Sequence, residues 1–202
     1  MDEAPEFRRD VLDALRQPLE SGSVTIARAD RLVRFPARFQ LVLAANPCPC
    51  GAARDNNCTC SAMVRRTYLN RLSGPLLDRV DVRLNLLPVS RASLAQGRGE
   101  STATVAERVT AARARQAARW SAFGWRLNAD VPGTVLRAIP WRLSKEVSRP
   151  LDEQLEKGTL TLRGYDRCLR VAWTLADLAG EKAPGPAQVG GASMLRTELR
   201  AA

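Results

Sequence analysis

Two tight cysteine pairs, Cys48-Pro49-Cys50 and Cys58-Thr59-Cys60, follow directly on the apolar run Phe39 to Ala45, which ends at Asn46. A short continuous apolar run of this kind predicts a buried strand. A strand that ends in a polar residue and four thiols delivers chemistry to one edge of a sheet, which is where α/β proteins keep their sites. Seven residues separate the pairs. Four thiolates so spaced can surround a tetrahedral zinc at about 2.3 Å per bond, and Pro49 and Gly51 favour a turned backbone that holds the first two sulfurs inward. A reduced, unliganded loop and disulfides within each pair stay open as alternatives. Cys168, alone on an apolar helix face, reads as a small core residue.

A chain of 202 residues can bury one good core or two small ones without disulfide help. It has no apolar run of membrane-spanning length, and its first residues are acidic, so the sequence predicts neither a membrane span nor a signal peptide. A cytoplasmic location is therefore expected, in a reducing compartment where metal or thiolate chemistry outranks disulfides. The 31 Lys+Arg residues exceed the 21 Asp+Glu by enough to give a formal charge of +10. That excess predicts attraction to polyanions such as DNA, with an arginine-rich solvated surface as the alternative. Histidine is absent. His-based acid/base chemistry, Ser-His-Asp triads and zinc sites that need imidazole are excluded.

Along the chain, Glu6 to Leu19 reads as an amphipathic helix with Val11, Leu12, Leu15 and Leu19 on one face, stopped by Ser21-Gly22-Ser23. Val24 to Ala27 and Leu32 to Phe35 alternate about Ala29-Asp30-Arg31, which predicts a β-hairpin carrying Arg28, Arg31 and Arg34. Beyond the cysteines come a basic helix from Ser61 to Leu72, a helical turn at Pro75 to Asp78, a strand from Val80 to Leu87, and a linker from Pro88 to Glu100. Thr104 and Glu107 form a capping-box pattern for a helix reaching Trp120. Helical pieces follow at Val131 to Ala138 and Ser144 to Glu156, the second interrupted or restarted at Pro150, and then a long helix from Leu162 to Leu178. The Pro- and Gly-containing tail from Ala179 is expected to be poorly ordered until Met194. The architecture this predicts is α/β: half of an αβα sandwich, then a small all-helical domain. With no strand in residues 1 to 20 to start the sheet, the chain is expected to begin in mid-domain.

Several further residues are dull when taken singly. Asp2-Glu3 is an acidic dipeptide of the kind solvated on surfaces; Asn46 can cap the loop after it; Arg79 can pair with Asp78 or Asp81; Arg163 can be an ordinary residue at a helix start. Their order is more informative. An acidic pair, a polar strand end, an arginine on a short helix before the last strand and an arginine opening a later helix resemble the second half of an AAA+ ATPase. More closely, Asn46-Pro47-Cys48-Pro49-Cys50-Gly51, Ser73-Gly74-Pro75-Leu76-Leu77-Asp78-Arg79-Val80-Asp81 and the stretch from Arg167 to Leu178 resemble the ComM (YifB) group of magnesium-chelatase-like AAA+ proteins. The resemblance runs from Met1 to about Ala179, and the paired cysteines separate this group from true magnesium chelatase subunits.

That resemblance implies the distal part of an AAA+ core over residues 1–88, a linker at 89–100, a helical lid over 101–180 and a tail at 181–202. It implies an ATP hydrolase that works with magnesium in a hexameric ring and acts on branched DNA. By it, Asp2 holds the magnesium ion, Glu3 orients the attacking water, and Asn46 senses the terminal phosphate. Arg79 is the finger inserted into a neighbouring subunit's site, and Arg163 reports nucleotide state to the lid. Cys48, Cys50, Cys58 and Cys60 are the metal ligands, and the hairpin around Arg28 to Arg34 faces DNA. One part of the pattern is missing: there is no G-x-x-x-x-G-K-[ST], and no lysine precedes Lys145. The chain alone is therefore expected to turn over negligible ATP. Two other readings stay open, a zinc-stapled DNA-binding module using Arg28, Arg31, Arg34, Arg65 and Arg66, and an ATPase subunit of a magnesium or cobalt chelatase.

Overall fold

The hairpin forms as its alternation predicts, and it is the best-formed piece of sheet in the chain. A computed structural model describes residues 1–28, 31–52, 57–86, 88–89, 91, 95 and 99–197. In it β1 (Ser23–Arg28) pairs antiparallel with β2 (Arg31–Pro36) in the register Ser23↔Pro36, Val24↔Phe35, Ile26↔Val33 and Arg28↔Arg31. The turn residues 29–30 lie outside the described residues. The chain divides into two compact units, Met1–Val80 and the residues from Asp81 onward.

In the first unit a short 3-10 turn, Ala4–Glu6, precedes two helices rather than one: α1 (Arg9–Ala14) and α2 (Arg16–Ser21). The break falls at Leu15 because Pro18 has no N–H with which to reach the Ala14 carbonyl. Leu12 is fully buried while Val11 is 47% exposed, so the buried face is narrower than the pattern suggested. Gly22 ends α2 in the left-handed region, as its position foretold. After the cysteine loop come α3 (Ala62–Leu69), capped by the Ser61 hydroxyl, and α4 (Gly74–Leu77), capped by Ser73. The Ser73 hydroxyl also donates to Asp13 Oδ1 at 2.6 Å, tying α4 to α1, and Leu76 behind it is fully buried.

The described residues form no sandwich. Among the described residues the only sheet is the two-stranded hairpin. Phe39 to Ala45 runs without strand pairing of its own, and Val80 to Leu87 forms no strand over its described residues. The physical reason is hydrogen bonding: a central strand needs a neighbour on each side, and among the described residues Phe39 to Ala45 pairs with Met1 to Ala4 alone. There, the Met1 amine donates to the Val42 carbonyl (2.8 Å), Ala44 N–H to the Met1 carbonyl (3.0 Å), and Ala4 N–H to the Ala44 carbonyl (2.8 Å). The donor order is that of a parallel pair. Phe39 and Val42 are left 47% and 66% exposed, which corrects the expectation of a buried strand.

The second unit is all helical. α5 (Thr102–Trp120) starts earlier than expected because Ser101, not Thr104, is its cap: the Ser101 hydroxyl accepts from Thr104 N–H. α6 (Gly133–Leu136) is a single turn. α7 (Lys145–Glu156) runs unbroken through Pro150. α8 (Leu162–Ala179) spans the stretch predicted for it, capped by Thr161 and ended by left-handed Gly180. The expected disordered tail is instead α9 (Pro186–Thr197), packed on α8 and α7 with Val189 and Ala192 sealed in the core. That core also holds Trp120, Leu151, Leu169, Ala172 and Trp173. Cys168 joins it, and burial pushes its thiol up to about 11, as befits an inert core residue. No helix among the described residues is long and apolar enough to cross a membrane.

Candidate metal centre and its neighbours

The loop after Asn46 brings all four predicted cysteines to one point. Their sulfurs lie within 4.8 Å of one another, with Cys48 to Cys50 at 3.0 Å, Cys48 to Cys58 at 3.4 Å and Cys50 to Cys58 at 3.7 Å. In a regular ZnS4 tetrahedron with 2.3 Å bonds the sulfurs stand about 3.8 Å apart, so a metal needs only a small expansion of this cluster. None of the pairs is a disulfide. Cys48 is buried, Cys50 is exposed, and Cys58 and Cys60 are half-buried. Gly51, in the left-handed region with φ 66°, turns the backbone after the first pair.

The thiols divide the proton load unequally. Hydrogen bonding from Cys48, then the backbone at Ala52, draws Cys50 down to about 6, making it the ready thiolate of the set. Hydrogen bonding to Cys50 and burial push Cys48 up. Desolvation, with Cys50 beside it, pushes Cys60 up. Zinc would take all four sulfurs as thiolates, so its binding is coupled to the loss of their protons. The donor set is consistent with a structural zinc site.

The acid pair sits close to this loop in the fold. Through the Met1–Val42 and Ala4–Ala44 bonds, Asp2 and Glu3 run beside the segment that ends two residues before Asn46. Asn46 in turn lies against Gly51, where a side chain carbon would come within 3.9 Å of its amide nitrogen. Asp2 and Glu3 are both exposed, and Asp2 Oδ1 accepts from Glu3 N–H at 2.9 Å. Among the described residues Glu3 is the one non-glycine with positive φ, 48°. Such a backbone costs roughly 1 kcal/mol or more and persists only where the surroundings impose it.

Two residues that the sequence did not single out lie against the turn that follows Glu3. Tyr68 of α3 is 5% exposed; its hydroxyl is raised mainly by burial and then by the charges of Glu6, Glu3 and Cys48. Its helix packs on the Ala4–Glu6 turn. Arg71 donates from Nη1 to the Pro5 carbonyl at 2.9 Å and reaches Glu6 Oε2 at 3.5 Å. A tyrosine in a basic amphipathic helix and an arginine just past its end carry no signal that would mark them in the sequence.

The two predicted arginines are placed separately. Arg79 is not paired with Asp78 or Asp81 as the simplest reading allowed; its guanidinium bonds Glu20 and donates to the Pro75 carbonyl at 2.7 Å, with the side chain 9% exposed. Arg163 belongs to the second unit, exposed on the first turn of α8.

The family described as "Magnesium chelatase, subunit ChlI" matches residues 1–94, and "Magnesium chelatase, subunit ChlI C-terminal" matches residues 99–196. An uncharacterized protein of Mycobacterium tuberculosis is 48% identical over 196 residues, covering 97% of this chain and 39% of the relative. Competence protein ComM of Haemophilus influenzae is 42% identical over 194 residues, covering 90% of this chain and 35% of the relative. The uncharacterized protein YifB of Escherichia coli is 43% identical over 180 residues, covering 88% and 35%. The chain thus spans little more than a third of the length of these relatives. With both consecutive domain descriptions matched in order and the ComM and YifB proteins among its relatives, the chain belongs to the magnesium chelatase ChlI-like family.

Proposed function

We propose that this chain is the distal portion of a ComM-like AAA+ motor, whose complete form hydrolyses ATP in a hexameric ring to move branched DNA during recombination and transformation. The observation that supports the reading is the parallel pairing of Met1 to Ala4 with Val42 to Ala44, which runs Asp2 and Glu3 beside the segment that leads to Asn46. Two carboxylates and an amide so arranged suit a magnesium nucleotide: Asp2 to hold the cation, Glu3 to orient water, Asn46 to contact that water or the terminal phosphate. Arg79 is the finger for a neighbouring site, a role that requires it to leave Glu20 when a ring assembles. Arg163 is the nucleotide sensor of the helical unit.

The phosphate-cradling loop is absent from the sequence, and with it most of the nucleotide affinity and charge stabilisation. The purified chain is expected to show negligible ATP turnover. Turnover near that of a complete motor would overturn this account of the missing loop.

A DNA-binding role without catalysis is the second reading, favoured by the exposure of Arg28, Arg31, Arg34 and Arg66, with Arg65 half-buried. Arg28 and Arg31 stand directly opposite each other across the hairpin. Like charges so placed repel, and a phosphate between them relieves that repulsion. Fluorescence anisotropy with linear and branched duplexes separates the readings. Salt-sensitive binding that ATP leaves unchanged, and that Arg28→Ala with Arg31→Ala weakens, supports the module; branch-selective binding that changes with nucleotide supports the motor.

A further inference from the structure

The metal centre, α3 and the acidic turn form one mechanical chain. Cys60 directly precedes Ser61, whose hydroxyl accepts from Val64 N–H to begin α3. α3 is only eight residues long, and an isolated helix of that length does not persist in water. Its own burial is slight: Met63 is 78% and Val64 45% exposed, and Tyr68 is its one buried side chain. The helix is therefore held at its two ends, by the cysteine loop at the start and by Tyr68 and Arg71 at the finish.

The finish is where it meets the acidic turn. α3 packs on Ala4–Glu6. Ala4 and Pro5 are buried there, and Arg71 closes the turn by binding the Pro5 carbonyl. Immediately before that turn stands Glu3 with its left-handed backbone. We infer that the four-cysteine centre is the anchor of the acid pair: with metal bound it fixes the start of α3, through which Tyr68 and Arg71 hold the Ala4–Glu6 turn and the backbone of Glu3. Tyr68 and Arg71 are thus positioning residues, and the metal is neither a reactant nor a DNA ligand. The catalytic meaning of the acid pair rests on the motor reading above; the mechanical link does not.

Hydrogen–deuterium exchange of the full chain tests the link without nucleotide, so its outcome is separate from that of any ATPase assay. The amides to follow are Ala4, hydrogen-bonded to the Ala44 carbonyl, and Glu6 and Phe7, hydrogen-bonded within the turn, with the hairpin and α5 as internal references. Zinc content is measured on every sample. Removing zinc with a chelator is expected to speed exchange at these amides at least tenfold while α5 is unchanged. Because chelation can also loosen the surrounding unit, Arg71→Ala is the decisive variant: it keeps stoichiometric zinc and a protected hairpin, yet shows the same faster exchange at Ala4 to Phe7, and Arg71→Lys restores part of the protection. Unchanged exchange at these amides after zinc loss, or in zinc-loaded Arg71→Ala, overturns the inference, as does a purified chain that holds no metal and protects the turn regardless.

Discussion

Asp177 is fully sealed from water, and its carboxylate is completely used. Arg119 binds both of its oxygens, Asn128 Nδ2 donates to Oδ2 at 2.9 Å, and Asn128 in turn accepts from the Trp120 indole at 2.8 Å. Arg119 also lies 4.5 Å from the Trp173 ring. An acid inside the run Val171 to Leu178 looks like a solvated break in the apolar pattern, and only the fold reveals that the arginine answering it comes from another helix. Asp177→Ala strips that guanidinium of its counter-ion and the Asn128 amide of one of its two acceptors in a dry core, so it is expected to destabilise the helical unit by about 3–5 kcal/mol, read as a shift in urea unfolding. The cysteines make a prediction of the opposite kind. Cys50 is drawn from its ordinary 9 down to about 6, so its ionisation favours the folded loop above pH 9 and loses that effect as pH falls through 6; Cys48 and Cys60, pushed up, have the reverse sign. At neutral pH zinc therefore displaces protons from Cys48 and Cys60. Calorimetric titration should give heats that depend on the buffer's ionisation enthalpy, with affinity weakening from about pH 8 to about pH 6; heats identical in all buffers would show the thiols already ionised.

The elements that were legible are those whose stabilising contacts are local. The hairpin follows from alternation, α3 from Ser61, and α8 from its cap, its apolar face and Gly180. The elements that were not depend on residues far away. α9 is rich in glycine and follows Pro184, which reads as a loop; in the fold those small residues permit close helix packing, since a side chain at Gly191 would come within 3.2 Å of Leu175 Cδ1. Proline at its first position and the Gln188 side chain accepting from Gly185 N–H start it. Val189 is wholly buried on this helix. Val189→Ala removes two methyl groups and should cost about 2 kcal/mol in thermal or urea unfolding; a change near zero would mean that α9 is not docked in solution.

At the scale of the whole molecule, the order of motifs was readable and the layered sheet was not. The four sulfurs meet as their spacing suggested. A sheet, however, is a property of neighbours. The apolar run Phe39 to Ala45 specifies a central strand by composition, but its hydrogen bonds need partners on both sides, and Met1 to Ala4 provides part of one side. That is also why Phe39 and Val42 stay open to solvent.

The aromatic core of the helical unit carries one more consequence. All four tryptophans, Trp120, Trp125, Trp141 and Trp173, belong to the second unit and cluster there, with Trp120 and Trp141 rings 4.5 Å apart. Light absorbed near the red edge of the protein spectrum is thus emitted from one half of the polypeptide, while the half bearing the sulfurs is optically dark. Each half can be watched through its own window, indole emission for one and metal–thiolate absorption for the other, without attaching a label to either.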